Sequence, residues 1–270
     1  MTKKIPWPKT ILFAKMSWPE VKKAAESNAL ALIVVAQVEE HGPHLPLDTD
    51  WVIGETVAKN VAENLRDQGI PTVLLPTVWS AYSPVDLTAW PGTIVVRPMT
   101  LANLLIDICE SLVRSGFKKI ALMNSHGGNS FALEMASREI RDRTGVPMCT
   151  VAAPFFIGQE KILSTPDTHG GEAETSIYLA VAPEYVDMEK APSEPVKYKG
   201  KKAMSAAAPS KAYWFSSWSL EKRESGIIGD ATPATKEKGE KLVRIAVDAV
   251  VEMLKDYYST PSVPADVHGK

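Results

Sequence analysis

Six consecutive apolar residues, Ala31-Leu32-Ile33-Val34-Val35-Ala36, lead almost directly into Val38-Glu39-Glu40-His41-Gly42-Pro43-His44-Leu45-Pro46-Leu47-Asp48-Thr49-Asp50. The apolar run reads as a buried strand. Two histidines and four carboxylates therefore gather where a central strand ends. In an open α/β sheet that end of a strand is where ligands bind. The chain holds 5 histidines in all; four lie outside the tail, and three of these, His41, His126 and His169, are each followed by glycine.

The remaining sequence extends the alternation that the first strand begins. Helices are expected for about ten residues from Trp18, with Ser17 and Glu20 as a capping box, and at 51–68, 98–115, 130–143, from His169-Gly170-Gly171 to near Pro183, and at 233–257. Gly69 and Gly116 stop the second and third of these. Strands are expected at 31–37, 71–76, 93–96, 118–123 and 146–153. Strands alternating with helices specify an α/β fold, a mainly parallel sheet with helices on both faces. The loop 77–92 carries Trp79, Tyr82 and Trp90. Residues 187–225 read as an exposed excursion, rich in Lys, Ala, Ser and Pro up to 213 and carrying Trp214, Phe215 and Trp218. The tail 259–270 is expected to fray. No repeat or linker divides the sequence, so 1–270 is expected to be one domain.

Composition narrows the function classes. A net charge of -2 gives no basic footprint for nucleic acid or an anionic membrane. No apolar run approaches the roughly 18 residues of a transmembrane helix, and the N-terminus lacks the apolar core of a signal peptide. Cys109 and Cys149 sit in apolar segments and read as buried free thiols. The expectation is a cytoplasmic enzyme or binding protein acting on a small molecule.

Three stretches carry chemistry. Glu39 and His41 lie two apart and would point the same way if the strand ran on to them; Glu40 would then face away, solvated or ion-paired. Asp50 opens the next helix, where it either turns back to the histidines or complements the helix N-terminus. His44 either orients a ligand from behind or packs. His126 ends a strand before Gly127-Gly128, which permit close approach of a ligand; neither a P-loop nor a Rossmann fingerprint follows. His169 and Glu174 flank a Gly-Gly turn into a helix. Glu174 reads as a ligand or as a helix cap, His169 as a proton shuttle, and Glu172 as an alternative ligand or base. His, Asp and Glu in this pattern suit zinc, manganese or iron. The aromatic residues Trp79, Tyr82, Trp90, Trp214 and Trp218 are candidates for a pocket wall, for core or for a subunit interface.

The stretches Val38–Leu47 with Asp50, Pro91-Gly92-Thr93, Asn124-Ser125-His126-Gly127-Gly128-Asn129, His169-Gly170-Gly171-Glu172-Ala173-Glu174-Thr175-Ser176 and Gly226-Ile227-Ile228-Gly229-Asp230 with Glu237-Lys238-Gly239 together resemble the creatininase (creatinine amidohydrolase) family. The resemblance implies a three-layer α/β/α fold and two divalent metal ions, zinc or manganese, with iron in some members. It implies Glu39, Asp50 and His126 around one ion, and His41, the shared Asp50 and Glu174 around the other. Creatininase itself uses a carboxylate where this chain has Gly128, so Glu174 would serve instead. His169 would carry the proton, with Glu172 as a second candidate. The family also implies a homo-oligomer, often a hexamer, and a hydrolase that opens a small polar ring or cleaves an amide-like C–N bond. Ring opening at a C–C bond of an oxidised cyclitol is the alternative, and a non-catalytic metal or ligand binder is the rival of another class. Many relatives carry a histidine before Pro-Gly-Thr; here Val85–Trp90 stands in that place. Gln37 likewise replaces a small residue before the first motif. Both departures argue against a creatininase substrate pocket.

Overall fold

The computed structural model describes residues 10–152, 154, 157–164, 169–195 and 223–261. Four strands, β1 (Leu30–Val35), β2 (Thr72–Leu74), β3 (Lys119–Asn124) and β4 (Met148–Val151), form a wholly parallel sheet in the order β2-β1-β3-β4. β1 pairs with β3 along its whole length, from Leu30 opposite Lys119 to Val35 opposite Asn124. Every residue of β1 and β3 is buried, as the unbroken apolar runs require of strands covered on both faces.

Side chains of alternate parity enter separate cores. Ala31, Ile33, Val35, Ile120 and Leu122 pack beneath α1 (Trp18–Glu26), α3 (Pro98–Arg114) and α4 (Ser130–Thr144). Leu30, Leu32, Val34, Ala121 and Met123 pack beneath α2 (Thr49–Asp67) and α6 (Lys236–Ser259). The sixth helix, α5 (Glu172–Val181), lies against α2 and α6, with Ile53, Ala173, Ile177 and Leu242 in a satellite core. The result is the expected three layers. The period of two in the strands sorts the side chains, and the helices cover both sets.

Local signals set the element ends. Ser17 N donates to Glu20 Oε2 at 2.8 Å, so the capping box forms at α1. Gly69 (φ 84°) and Gly116 (φ 97°) follow α2 and α3 in the left-handed region that ends helices. One expected strand does not form. Residues 93–96 run extended but outside the sheet, tied by Ile94 N to Val38 O (3.1 Å) and Val96 N to Ala81 O (2.8 Å). Two short strands, β5 (Ser193–Glu194) and β6 (Gly229–Asp230), pair antiparallel. The segment after β5, from 196 to 222, lies outside the described residues, as do the tail 262–270 and both Trp214 and Trp218. No described helix is long and apolar enough to cross a membrane.

The strand order places the site. From β1 the chain moves through α2 to β2 on one side, then through α3 across to β3 on the other. The connections leave in opposite directions from β1 and β3, and the crevice between their C-terminal ends is the switch point where such sheets bind ligands.

Candidate metal centre

β1 ends at Val35, and the backbone of 36–41 leaves the ladder rather than continuing it. Glu39 N closes the following loop on Leu47 O at 2.9 Å. This turn brings Glu39, His41 and Asp50, the last in the first turn of α2, to the end of β3, where His126 follows Asn124 and Ser125. Ser125 is fixed by its N–H on Val35 O at 2.9 Å and its hydroxyl on Asp50 O. Glu174 arrives from the first turn of α5. All five side chains are buried.

The five converge as two sets with one shared member. His126 Nδ1 lies 3.3 Å from Glu39 Oε2 and 2.9 Å from Asp50 Oδ2. His41 Nε2 lies 3.4 Å from Asp50 Oδ1 and 3.7 Å from Glu174 Oε2. Each oxygen of Asp50 therefore faces a different set. Glu39, Asp50 and His126 offer one ligand atom apiece within 4.8 Å of one another, and so do His41, Asp50 and Glu174. Zinc ligands stand about 2.0–2.2 Å from the ion, which puts them up to about twice that apart.

Hydrogen bonding supports the same geometry. His41 Nδ1 lies 3.1 Å from Glu39 O, which places the proton on Nδ1 and leaves the Nε2 lone pair facing Asp50 and Glu174. Both oxygens of Glu39, Asp50 Oδ2 and His41 Nε2 are buried without a hydrogen-bond partner among the described residues. Asp50 Oδ2 and His126 Nδ1 are close at 2.9 Å, but not in the alignment of a hydrogen bond. Buried polar atoms are normally satisfied. A cluster of them with lone pairs converging is what a cation would satisfy.

The charge balance points the same way. Burial opposes charge on His41, but Asp50, Glu174 and Glu39 outweigh it and hold its pKa well above the usual imidazole value. His126 is likewise opposed by burial and raised to about 9 by Glu39 and Asp50. Burial works against the Asp50 carboxylate, yet His41 and His126 pull its pKa well down. Glu174 is raised, chiefly by burial and then against the opposing pull of His41 by Asp50. Three carboxylates thus share a dry site with imidazoles as their only cations among the described residues, and a divalent ion would replace those protons.

His169 stands beside the two sets and makes a third with Glu39 and His41, one ligand atom from each lying within 4.8 Å of the others. An antiparallel bridge to Ile228 fixes its backbone (His169 N to Ile228 O 3.2 Å, Ile228 N to His169 O 2.8 Å). Its ring is tilted 34° to that of His41 at 4.4 Å between centroids. Nδ1 is 3.6 Å from Glu39 Oε2 and Nε2 is 3.5 Å from Glu40 Oε1. Burial and His41 oppose its charge, but Glu40, Glu39 and Glu174 prevail and raise its pKa.

Several expectations change. Of the two settings expected for Glu40, solvated or ion-paired, it takes the second: it is 4% exposed and faces His169. The cause is that 36–41 are not a strand, so the alternation that would turn Glu40 outward does not apply. Glu172 is buried away from both sets: its carboxylate pairs with Lys238 Nζ and accepts Ser164 N at 2.7 Å. His44 is buried, with Nε2 2.8 Å from Thr175 Oγ1, one residue past Glu174. Burial, then the charge of His41, holds its pKa down at about 4, so it is a neutral ring at neutral pH. Trp79 is 44% exposed and stacks on Trp51. Trp90 packs on Leu87 and Ile228. Tyr82 packs against the core under α3 and α4, but its carbonyl reaches the site: a Cβ at Gly128 would lie 2.5 Å from His126 Nε2 and 2.7 Å from Tyr82 O. Gly128 therefore has no room for a side chain.

The contacts of Gln37 and Lys238, both singled out in the sequence, run to residues that no local spacing reveals. Lys238, 66 positions beyond Glu172, also donates to Pro233 O (2.7 Å) and Ser164 Oγ (3.2 Å). Gln37 accepts Ala81 N at 2.7 Å and donates to Ile94 O at 3.0 Å and to Ser83 Oγ, and so binds the loop 81–96 to the end of β1.

Comparison with known proteins agrees with this architecture. Residues 14–254 match the model of the family described as creatinine amidohydrolase. The creatinine amidohydrolase of Pseudomonas putida is 24% identical over 93% of this chain and 98% of its own. A 3-dehydro-scyllo-inosose hydrolase of Thermotoga maritima is 25% identical over 92% and 84%. A mycofactocin precursor peptide peptidase of Mycolicibacterium smegmatis is 30% identical over 84% of each. A solved structure of creatininase in a manganese form superimposes with a TM-score of 0.77, covering 93% of this chain and 100% of that one at 20% identity, and so shares the fold.

Proposed function

The chain belongs to the creatininase family of hydrolases, and from that membership we propose that it is a metal-dependent hydrolase opening a small polar ring or cleaving an amide-like C–N bond. The observation that carries the reading is the pair of buried donor sets sharing Asp50. In this reading Glu39, Asp50 and His126 hold one divalent ion, zinc or manganese, and His41, Asp50 and Glu174 hold the second. Such ions, when bound, supply a water acidic enough to attack at neutral pH and polarise the substrate carbonyl.

The chain's own residues perform the rest. Asp50, with one oxygen toward each set, fixes the separation of the two positions. His41, locked by the Glu39 carbonyl, presents a single nitrogen. His169 takes the proton released as the new C–O bond forms and returns it to the leaving nitrogen as the C–N bond breaks, so the proton count balances. Glu172, bound to Lys238, holds the start of α5, leaving His169 as the group that moves the proton. The loop 81–96, with Tyr82 and Trp90, lies on the substrate side in this proposal. One domain of 1–270, a cytoplasmic setting and self-association complete it; light scattering tests the last.

A second reading is favoured by the inosose hydrolase relative. There the same site opens a C–C bond of an oxidised cyclitol, with water adding to the carbonyl carbon and His169 protonating the carbon that leaves. A screen of lactams, formamides and oxidised cyclitols separates the two. Under either reading His169→Ala keeps the metal content and abolishes turnover. Loss of ions with the imidazole, or turnover that persists, refutes the role of His169. A metal-loaded protein inert to every class would instead favour a binding protein.

A further inference from the structure

We propose that Gln37 is a positioning residue for the ion position made by Glu39, Asp50 and His126, its buried carboxamide fastening the loop 81–96 against both Glu39 and His126. The inference rests on the reading of the donor sets as a metal centre and adds which residue holds one of them in shape.

Gln37 is fully buried, two residues past the end of β1. Its Oε1 accepts Ala81 N at 2.7 Å, and its Nε2 donates to Ile94 O at 3.0 Å and to Ser83 Oγ. An N–H on one side and a carbonyl on the other allow the amide one orientation. One side chain thus joins both limbs of the loop to the segment that carries Glu39.

Each limb leads to the same donor set. On one, Ile94 N donates to Val38 O at 3.1 Å and Thr93 Oγ1 accepts Glu40 N at 3.1 Å, so the residues on either side of Glu39 are tied to 93 and 94. On the other, Tyr82 lies between Ala81 and Ser83. Its N–H is held by Asn129 Oδ1 at 3.1 Å, and its carbonyl stands beside His126 Nε2, where a Cβ on Gly128 would meet both. Glu174 of the other set comes from α5 and accepts Gly170 N at 2.6 Å; no bond of Gln37 among the described residues leads to it. Removing the amide leaves Ala81 N and Ile94 O buried without this partner, and the loop is then free to move away from Glu39 and His126. Loss of a residue that holds a metal ligand in place lowers affinity by about 10–100-fold.

The test needs no substrate. Zinc affinity is measured by chelator competition in two backgrounds, Glu174→Gln, which keeps the Glu39 set, and Glu39→Gln, which keeps the His41 set. Gln37→Met, of similar length without the hydrogen bonds, should weaken zinc by about tenfold or more in the first and by less than about threefold in the second. No loss in the first background, or as large a loss in the second, overturns the proposal. Leu254→Ala separates this from general loosening: it truncates the core on α6, three residues before Tyr257, whose carbonyl accepts Lys119 Nζ at the start of β3. It should lower the unfolding free energy and leave both zinc affinities unchanged; a loss at the Glu39 position equal to that of Gln37→Met would also overturn the proposal. If Gln37→Met fails to fold, Ser83→Ala, which removes one anchor of the amide, decides in its place by showing or lacking the same preference between backgrounds. Wild-type protein that binds no zinc refutes the metal reading and this role with it, whereas two ions in the wild type and no preference in the variants refute the role of Gln37 alone.

Discussion

Lys238→Met should destabilise the protein by an amount set by an asymmetry in the Lys238–Glu172 pair. Glu172 is fully buried, whereas the Lys238 side chain is 23% exposed. Removing the lysine leaves a carboxylate in a dry site with Ser164 N as a remaining donor. Losing one partner of a buried pair costs about 3–5 kcal/mol, and the retained N–H bond argues for the lower end, about 3 kcal/mol. Glu172→Gln should cost less, about 1–2 kcal/mol, because a long lysine can carry its charge to solvent. The double variant should recover about 1–3 kcal/mol relative to the sum of the singles. Urea unfolding of all four proteins in chelator, so that bound ions do not contribute, measures the cycle. A Lys238→Met loss below about 1 kcal/mol, within the range of exposed pairs, would refute the reasoning.

Two further predictions follow from close approach and from burial. Gly239→Ala should cost about 3 kcal/mol in unfolding free energy despite the better helix propensity of alanine, because the new Cβ overlaps the Ser176 backbone and forces α6 away from α5; a neutral or stabilising effect would show that the helices separate freely. His44 is neutral in the fold, with its pKa held at about 4 against 6.5 for a free imidazole. Unfolding therefore takes up a proton as pH falls, and stability drops between 6.5 and about 4 by up to about 3 kcal/mol, levelling off below. His44→Asn should flatten this part of the stability–pH curve, and a curve of unchanged slope would contradict it.

The parts of the fold that were legible are those in which local pattern and tertiary role coincide. The apolar runs at 31–36 and 120–123, the glycine stops at 69 and 116 and the Ser17–Glu20 box each declare an element within a few residues. The donor residues were legible because His and Asp/Glu are rare in such company at strand ends. Glu40 takes the ion-paired of its two expected settings, but its partner His169 lies far along the chain, where no local spacing reveals it. Glu172 was misjudged because its partner lies on α6, which no local spacing reveals. The segment 93–96 has strand composition, but its hydrogen bonds go to loop positions 38 and 81. The surface place of Trp79 depends on Trp51, another long-range contact.

Metal content of the purified protein tests the central claim most directly. After dialysis against zinc or manganese and removal of excess, the account predicts two divalent ions per chain, one in Glu174→Gln and none held tightly in Asp50→Ala, whose carboxylate serves both positions. A wild-type chain that retains no ion, or an Asp50→Ala variant that retains both, would contradict it.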